Sequence, residues 1–209
     1  MKYKAIIFDL GGVLLNLRYE NTLDKFSEIL EKPVSPFYTQ KEQTELFDEY
    51  EKGNISSDEF RLGIKKIVGD KITTTQIDEA WNAMLLDLPI ERVEMLKELS
   101  TKYRIFLLSN TNAIHIDAFE TIVNSTLGDD FGDFKKLFEK GYYSYEMGDR
   151  KPHPSIFETV IAENNLDKSE TLFIDDSIQH VEGAKKAGLH AHHLSDLNVI
   201  KFLKEEGIY

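Results

Sequence analysis

The sequence predicts an α/β fold, a doubly wound parallel sheet with a long helical segment inserted into it. One short apolar run lies before residue 16. After residue 89 such runs alternate with helical patterns, which indicates parallel strand pairing. Residues 16–88 lack this alternation and carry apolar residues at helical spacing instead. Hydrophobic residues make up 41% of the 209 residues and charged residues 30%, so the chain is composed like an ordinary globular protein.

Three of the four predicted core strands run directly into polar residues. The first ends at Asp9, before the turn signal Gly11-Gly12, the second ends at Ser109, and the third ends at Asp175-Asp176. The predicted strands cover residues 4–8, 104–108, 171–174 and 191–194. The predicted core helices cover about residues 93–99, 154–163 and 178–187, and a further helix lies at the C-terminus.

The inserted segment is predicted to be mostly helical over residues 19–86. Apolar side chains such as Leu23 and Phe26 recur there at helical spacing. Either Ser56 or Ser57 is expected to begin one helix as its N-cap, because an acidic pair follows directly. Interruptions are expected at Pro33, Pro36 and Gly53-Asn54.

Charge and cysteine content exclude several classes of function. The chain has 25 Lys and Arg against 37 Asp and Glu, a net charge of −12 at pH 7, which disfavours nucleic acid and membrane surfaces as partners. It has no cysteine, which excludes disulfides, thiolate zinc sites and cysteine nucleophiles and suits the reducing cytoplasm. No long apolar stretch predicts a membrane span or a secretory signal, so we expect a cytoplasmic protein.

The residues at the strand ends fit phosphoryl transfer. Ligands of open α/β sheets bind beyond the carboxyl ends of the strands, where Asp9, Ser109, Asp175 and Asp176 are predicted to meet. A carboxylate can attack phosphorus, and magnesium bound by carboxylates offsets the repulsion between the two anions. Lys151, in a loop between the second and third of these strands, would add a fixed positive charge. Each residue alone is ordinary in a turn; their order and placement together are specific.

Four motifs follow one another along the chain. They are Ile7-Phe8-Asp9-Leu10-Gly11-Gly12-Val13-Leu14, Leu108-Ser109-Asn110-Thr111-Asn112, Gly148-Asp149-Arg150-Lys151-Pro152 and Phe173-Ile174-Asp175-Asp176-Ser177. In this order they resemble the motifs of the haloacid dehalogenase-like (HAD) hydrolase superfamily. The sequence is most similar to its sugar-phosphatase branch, which includes α-D-glucose-1-phosphatase and the N-terminal phosphatase of epoxide hydrolases. The resemblance implies a Rossmann-like core of residues 1–15 and 89–209 and an inserted α-helical cap of residues 16–88.

The resemblance implies a magnesium-dependent phosphatase. Asp9 would be the nucleophile that forms an aspartyl-phosphate intermediate, and the substrate would be a small phosphorylated metabolite, such as a sugar 1-phosphate. Asp9, the carbonyl of Gly11 and Asp176 would hold Mg²⁺, with Asp175 beside them or bound through water. Oligomeric state is not predicted.

The resemblance also implies a phosphate-binding set. Ser109 and the backbone of Asn110 would bind the phosphoryl group, and Lys151 would neutralise its charge. One departure stands at Gly11, where most family phosphatases carry an Asp that acts as general acid and base. Two alternatives therefore stay open, a metal-independent haloacid dehalogenase and a non-catalytic regulator that binds a phosphorylated metabolite.

Overall fold

The computed structural model describes residues 2–34, 45–128 and 131–209, apart from the side chain of Phe131. Within these ranges the core is a five-stranded, all-parallel sheet with the order β3-β2-β1-β4-β5. This confirms the predicted α/β core. The strands are β1 (Ala5–Phe8), β2 (Arg104–Ser109), β3 (Lys140–Tyr143), β4 (Thr171–Asp175) and β5 (His190–His193).

Helices connect the strands and form the inserted segment between β1 and β2. In the described part of the chain no helix is long and apolar enough to cross a membrane. The helices of the insertion are α1 (Glu20–Ile29), α2 (Glu45–Glu51), α3 (Ser57–Val68) and α4 (Thr74–Asn82). Those of the core are α5 (Ile90–Leu99), α6 (Ala113–Leu127), α7 (Phe131–Lys136), α8 (Ser144–Met147), α9 (Pro154–Asn164), α10 (Ile178–Lys186) and α11 (Val199–Glu205).

The first strand lies at the centre of the sheet. In register, Ile7 of β1 pairs with Phe106 of β2 on one side and with Phe173 of β4 on the other. The chain therefore winds outward from β1 in both directions, and a crevice opens at the carboxyl ends of these three strands. Asp9, which follows β1 directly, lies at this edge of the sheet.

Both faces of the sheet are buried, which explains why its strands read as continuous apolar runs. Ile6 and Phe8 belong to the hydrophobic cluster on one face, whereas Ala5 and Ile7 belong to the cluster on the other. All four residues are almost completely buried. Strand residues alternate between faces, so a strand covered on both sides needs an apolar residue at every position.

The insertion has a hydrophobic cluster of its own. The aromatic side chains of Phe26, Phe47, Phe60 and Trp81 are buried within it. Helix α3 begins as predicted, because the Ser56 hydroxyl accepts a hydrogen bond from the Glu59 N–H and the Glu59 carboxylate accepts one in return. The predicted interruption at Pro36 lies outside the described residues.

The two chain crossings between the insertion and the core run side by side. The N–H of Asn16 donates to the Asp87 carbonyl at 2.9 Å, and the Asn16 carbonyl accepts from the Leu86 N–H at 3.0 Å. Two residues further along the chain from Asn16, the Arg18 N–H donates to the Met84 carbonyl at 2.9 Å. A hydrogen-bonded ribbon thus connects the insertion to the carboxyl end of β1.

Strand β3 was not predicted from the sequence. It is a four-residue edge strand that contains Gly141, and it begins with Lys140, so it shows neither an apolar run nor alternation. Tyr142 and Tyr143 are nevertheless buried in it. The last strand also begins one residue earlier than predicted, at His190, and ends before Leu194.

Candidate active site

A buried lysine joins the carboxyl ends of the central strands. The ammonium nitrogen of Lys151 lies 2.7 Å from Asp9 Oδ1 and 2.7 Å from Asp175 Oδ2. It also donates to the Leu108 carbonyl at 3.0 Å. All three donor positions of the ammonium are therefore directed at oxygens supplied by β2, β4 and the residue after β1. Lys151 and Asp175 are fully buried, and Asp9 is 6% exposed.

The charges at this site shift one another's pKa values. Burial and the negative charge of Asp175 raise the pKa of Asp9 well above its ordinary value, against the opposing effect of Lys151. Burial alone would raise the pKa of Asp175, but Lys151 and His180 lower it below its ordinary value. Burial alone would lower the pKa of Lys151, but Asp175 and Asp9 raise it. The lysine is therefore charged, and Asp175 is its principal counter-ion.

Asp175 is fixed from a second side by α10. Its Oδ1 accepts a hydrogen bond from the Ser177 N–H at 2.8 Å, and His180 Nδ1 lies 3.0 Å from the same oxygen. Both carboxylate oxygens of Asp175 thus already have protein partners, since Oδ2 faces Lys151. The side chain holds the lysine in place rather than facing the crevice.

Three carboxylates lie close together at the carboxyl ends of β1 and β4, and those of Asp9 and Asp176 line the crevice. One oxygen each from Asp9, Asp175 and Asp176 lies within 4.8 Å of the others, and no other such group of metal-binding side chains occurs in the described part of the chain. One lysine cannot neutralise three carboxylates, so the site has an excess of negative charge. Oxygen ligands of this kind suit a hard divalent cation such as Mg²⁺.

The glycine turn after β1 is packed against one of these carboxylates. Gly12 has φ +74°, in the left-handed region that favours glycine, and a Cβ there would lie 2.4 Å from Asp176 Oδ2. The glycine therefore lets the turn pass directly beside the Asp176 carboxylate. The donor set and this close turn together fit a bound cation.

Gly11 is packed beside Leu17, which belongs to the crossing into the insertion. A Cβ on Gly11 would lie 2.5 Å from Leu17 Cδ1, the end of a flexible side chain, so a larger residue at position 11 would displace that side chain. Leu17 also lines the crevice beside Gly11.

The two predicted phosphate-binding residues at the end of β2, Ser109 and Asn110, are placed differently. Ser109 is 3% exposed, and its hydroxyl makes one long contact of 3.5 Å within the described residues, to the Asn110 carbonyl. The Asn110 carboxamide instead bonds twice to the backbone of Lys151, accepting from its N–H at 2.9 Å and donating to its carbonyl at 2.9 Å. Asn110 therefore positions the lysine loop through its side chain.

The insertion covers the crevice at the carboxyl ends of the strands. A small cavity of about 60 Å³ is lined by Asp9, Asp176 and Lys151 from the core and by Tyr19 and Glu51 from the insertion. Glu51 is 5% exposed, and its contribution was not predicted from the sequence. In the sequence Glu51 is only an acidic residue within a helical pattern, and such a residue most often lies on a solvated helix face.

An arginine next to the lysine links the two parts of the protein. The Arg150 guanidinium lies 2.9 Å from Asp48 Oδ1 and 3.1 Å from Glu51 Oε2, both on α2. Arg150 and Glu51 are largely buried, so the contact is held out of bulk solvent. Arg150 precedes Lys151 directly, and this pairing joins the lysine loop to the insertion.

Comparison with known proteins shows the family to which the chain is similar. Residues 3–188 match the haloacid dehalogenase-like hydrolase family. The chain is 29% identical to a D-ribitol-5-phosphate phosphatase of Bacteroides thetaiotaomicron, and the match covers 88% of each chain.

Two solved structures share the fold over nearly their whole length. One is a HAD family enzyme of Bacteroides thetaiotaomicron, an aspartate-to-alanine variant in complex with magnesium and inorganic phosphate. It has a TM-score of 0.84 and 36% identity, and the match covers 91% of this chain and 93% of that one. The other is a HAD-like family hydrolase of Porphyromonas gingivalis, with a TM-score of 0.80, 32% identity and coverage of 92% and 91%. This protein therefore belongs to the haloacid dehalogenase-like hydrolase family.

Proposed function

We propose that the protein is a magnesium-dependent phosphatase that hydrolyses a small phosphorylated metabolite through an aspartyl-phosphate intermediate. The observation that carries this proposal is the fully buried Lys151, held between Asp9 and Asp175 at the carboxyl ends of the central strands. The similar enzyme solved with magnesium and inorganic phosphate supports it. Asp9 attacks phosphorus, and Lys151 stabilises the negative charge on the phosphoryl oxygens.

The metal ligands in this proposal are Asp9, Asp176 and the carbonyl of Gly11. Asp175 stands behind them, because both of its oxygens already accept hydrogen bonds or face Lys151. Bound Mg²⁺ supplies the positive charge that offsets the repulsion between a carboxylate nucleophile and a phosphate dianion. The excess negative charge of the three carboxylates is what makes the site suited to it.

The reaction has two displacements at phosphorus. The Asp9 carboxylate forms the acyl-phosphate bond as the bond to the leaving alcohol breaks, and the alcohol oxygen takes a proton from water. Ser109 donates from its hydroxyl to a phosphoryl oxygen, together with the N–H of Asn110. Water then attacks phosphorus, which releases inorganic phosphate and restores Asp9.

A leaving group that departs readily suits a site without an acid at Gly11. General acid–base help is worth about 10²–10⁴-fold in rate, and the glycine at position 11 has no side chain to provide it. The anomeric oxygen of a sugar 1-phosphate is such a leaving group. A polyol phosphate is the second candidate, because a relative of this chain is a D-ribitol-5-phosphate phosphatase.

We also propose that residues 16–88 act as a cap over residues 1–15 and 89–209. Their separate hydrophobic cluster, the ribbon that joins them to the core and the contact of Arg150 with α2 support this division. Tyr19 and Glu51 of the insertion line the cavity over the crevice, so a closed cap limits the entry of water. The absence of cysteine supports a cytoplasmic setting.

The test is phosphate release from a panel of metabolites with added Mg²⁺ or with a chelator. The panel includes glucose 1-phosphate, glucose 6-phosphate and D-ribitol 5-phosphate, with 2-chloropropionate as a dehalogenase probe. We expect release from at least one phosphate ester, lost with the chelator and restored by Mg²⁺. Chloride release without added metal would instead establish the dehalogenase. Folded protein that binds these esters without turnover would establish the regulator.

The turn at Gly12 offers a sharp test of the proposed metal site. In Gly12→Ala the new Cβ would clash with the Asp176 carboxylate and force a left-handed alanine. We expect the Mg²⁺ concentration for half-maximal activity to rise about 10-fold or more, as is typical when a group that orients a metal ligand is lost. The measurement is phosphate release across a Mg²⁺ titration.

Gly207→Ala is the matched control. Gly207 has φ +66°, so an alanine there has the same kind of backbone strain, but its Cβ would meet no atom within 4 Å. We expect lower thermal stability in this variant and an unchanged response to Mg²⁺. Equal Mg²⁺ titrations for Gly12→Ala and the wild type would contradict the placement of Asp176 at the metal.

A further inference from the structure

A histidine on the first turn of α6 stands beside the crevice without a role in the reaction described above. Helix α6 begins at the N-cap Asn112, whose Oδ1 accepts a hydrogen bond from the His115 N–H at 3.1 Å. The His115 ring stacks on Trp81 of the insertion, with ring centroids 4.7 Å apart and planes inclined by 15°. Its side chain is 8% exposed, so the ring is fixed on one face and nearly buried.

The proton of this imidazole is assigned by its partner. His115 Nδ1 lies 2.9 Å from Asn82 Oδ1, an oxygen that can only accept, so Nδ1 carries the proton. Burial lowers the pKa of His115 to about 3, and the ring is therefore neutral at physiological pH. Nε2 is left as a hydrogen-bond acceptor. It is buried and has no hydrogen-bond partner among the described residues.

The ring borders the space into which a leaving group would extend. His115 lines a second cavity of about 60 Å³ together with Ser109 and Glu51. This cavity and the one over Asp9 share Gly11, Leu17, Tyr19, Glu51 and Asn110, so the two adjoin at the phosphoryl site. Apart from its polar residues the second cavity is lined by leucines, Met84 and Phe119. His115 thus brings to this cavity wall a buried acceptor without a partner among the described residues, and a donor from a ligand would satisfy it.

We propose that His115 Nε2 accepts a hydrogen bond from a hydroxyl group of the leaving alcohol. The preferred substrates are then phosphate esters of hydroxylated alcohols, sugars or polyols, rather than plain alkyl phosphates. This inference rests on the proposed phosphatase function and adds to it a specificity-determining residue. In a complex with a plain alkyl ester, Nε2 has no hydrogen-bond donor. A plain alkyl ester should therefore bind more weakly than a hydroxylated ester.

The same observations exclude His115 as the missing general acid. An acid must hold a proton on the nitrogen that faces the leaving oxygen, and here the proton stays on Nδ1 toward Asn82. A ring this weakly basic also holds no second proton near neutral pH. Its role is therefore to position the alcohol.

The test compares two esters of similar length in the Mg²⁺-loaded enzyme. D-Ribitol 5-phosphate and n-pentyl phosphate differ in the hydroxyl groups of the alcohol. We expect the wild type to prefer D-ribitol 5-phosphate in kcat/KM by about 10-fold or more, since an unmatched buried acceptor discriminates at least this strongly. In His115→Phe, which keeps a ring against Trp81, this preference should fall by about 10-fold, mainly through KM.

Phe119→Leu is the matched control, because Phe119 lines the same cavity from the same helix without a polar atom. It should change both kcat/KM values by similar factors and leave their ratio near that of the wild type. If His115→Phe behaves like Phe119→Leu, or if its preference equals that of the wild type, the hydroxyl contact is wrong.

A binding measurement separates this inference from the proposed function. In ¹⁵N-histidine NMR of the wild type, Nε2 of His115 should have the shift of an unprotonated nitrogen, and D-ribitol 5-phosphate should move it more than n-pentyl phosphate does. That result would support the contact even for a protein that hydrolyses neither ester, where the proposed function fails. Because this measurement uses the wild type, it still tests the contact if His115→Phe does not fold. Equal shifts with both esters would overturn the proposal.

Discussion

Asp9→Asn should reduce phosphate release by about 10⁴-fold or more, because the amide cannot form the acyl-phosphate bond on which the proposed reaction depends. The fold should survive. The Asp9 backbone N–H still donates to the Ile174 carbonyl, and the Lys151 ammonium keeps Asp175 as its counter-ion. Steady-state phosphate release from the best ester of the panel, with saturating Mg²⁺, measures the effect.

The charge at Asp9 also predicts whether this variant is more or less stable than the wild type. Burial and Asp175 raise the pKa of Asp9, so its ionised form destabilises the metal-free protein as pH rises through that pKa. Asn carries no charge, and the melting temperature of metal-free Asp9→Asn at pH 8 should equal or exceed that of the wild type. Loss of activity with retained stability separates the loss of the nucleophile from unfolding.

The control for this variant is Asp167→Asn, which makes the same chemical change at an exposed turn away from the crevice. It should retain wild-type turnover. Acid quenching of the wild type during turnover should leave a phosphoryl group on the peptide that contains Asp9, and on no peptide of Asp9→Asn. Turnover by Asp9→Asn within 10-fold of the wild type would remove Asp9 from its proposed role.

The core of the site was predictable because each strand that builds it is short, apolar and followed at once by a polar residue. A strand buried on both faces is a continuous apolar run, which makes β1, β2 and β4 visible in the sequence. Parallel pairing then aligns their carboxyl ends, so Asp9, Ser109 and Asp175 meet without any knowledge of side-chain packing. The strand pattern therefore predicts which side chains meet at the carboxyl edge of the sheet.

Interactions between distant parts of the chain could not be predicted in this way. The Asn110 carboxamide binds the backbone of Lys151, 41 residues away, and nothing in either local sequence indicates this pairing. The tautomer of His115 likewise depends on Asn82, and Trp81 covers one face of its ring; both residues are on another helix. Such roles are set by tertiary packing, whereas the strand-end positions are set by local pattern.

Lys151→Ala should be the most destabilising single change at the site and should also abolish activity. The ammonium lies 2.7 Å from both Asp9 and Asp175, and its removal leaves these two buried carboxylates without that positive charge. Loss of one partner from a buried ion pair typically costs about 3–5 kcal/mol in free energy of unfolding. Urea denaturation at pH 8 with a chelator present would measure the loss, and phosphate release would report the activity.

The pH dependence of that loss follows from the charges. Lys151 lowers the pKa values of Asp9 and Asp175, so both rise in the variant. The pKa of Asp9 moves further above its ordinary value of about 3.8, and the pKa of Asp175 rises from below that value. A carboxyl whose folded pKa is raised loses stability as pH rises through that pKa and regains it in acid. The difference in free energy of unfolding between wild type and Lys151→Ala should therefore be larger at pH 8 than at pH 5.

Lys140→Ala is the matched control for the lysine. Lys140 is exposed and pairs with Glu163 at the surface, where water screens the pair, so its loss should change the free energy of unfolding little. Added Mg²⁺ should also restore part of the stability of Lys151→Ala, because a cation at the carboxylates replaces some of the missing positive charge. Equal stabilities of the two alanine variants at both pH values would show that Lys151 does not hold the carboxylates together, and the proposed site would have to be rebuilt around another cation.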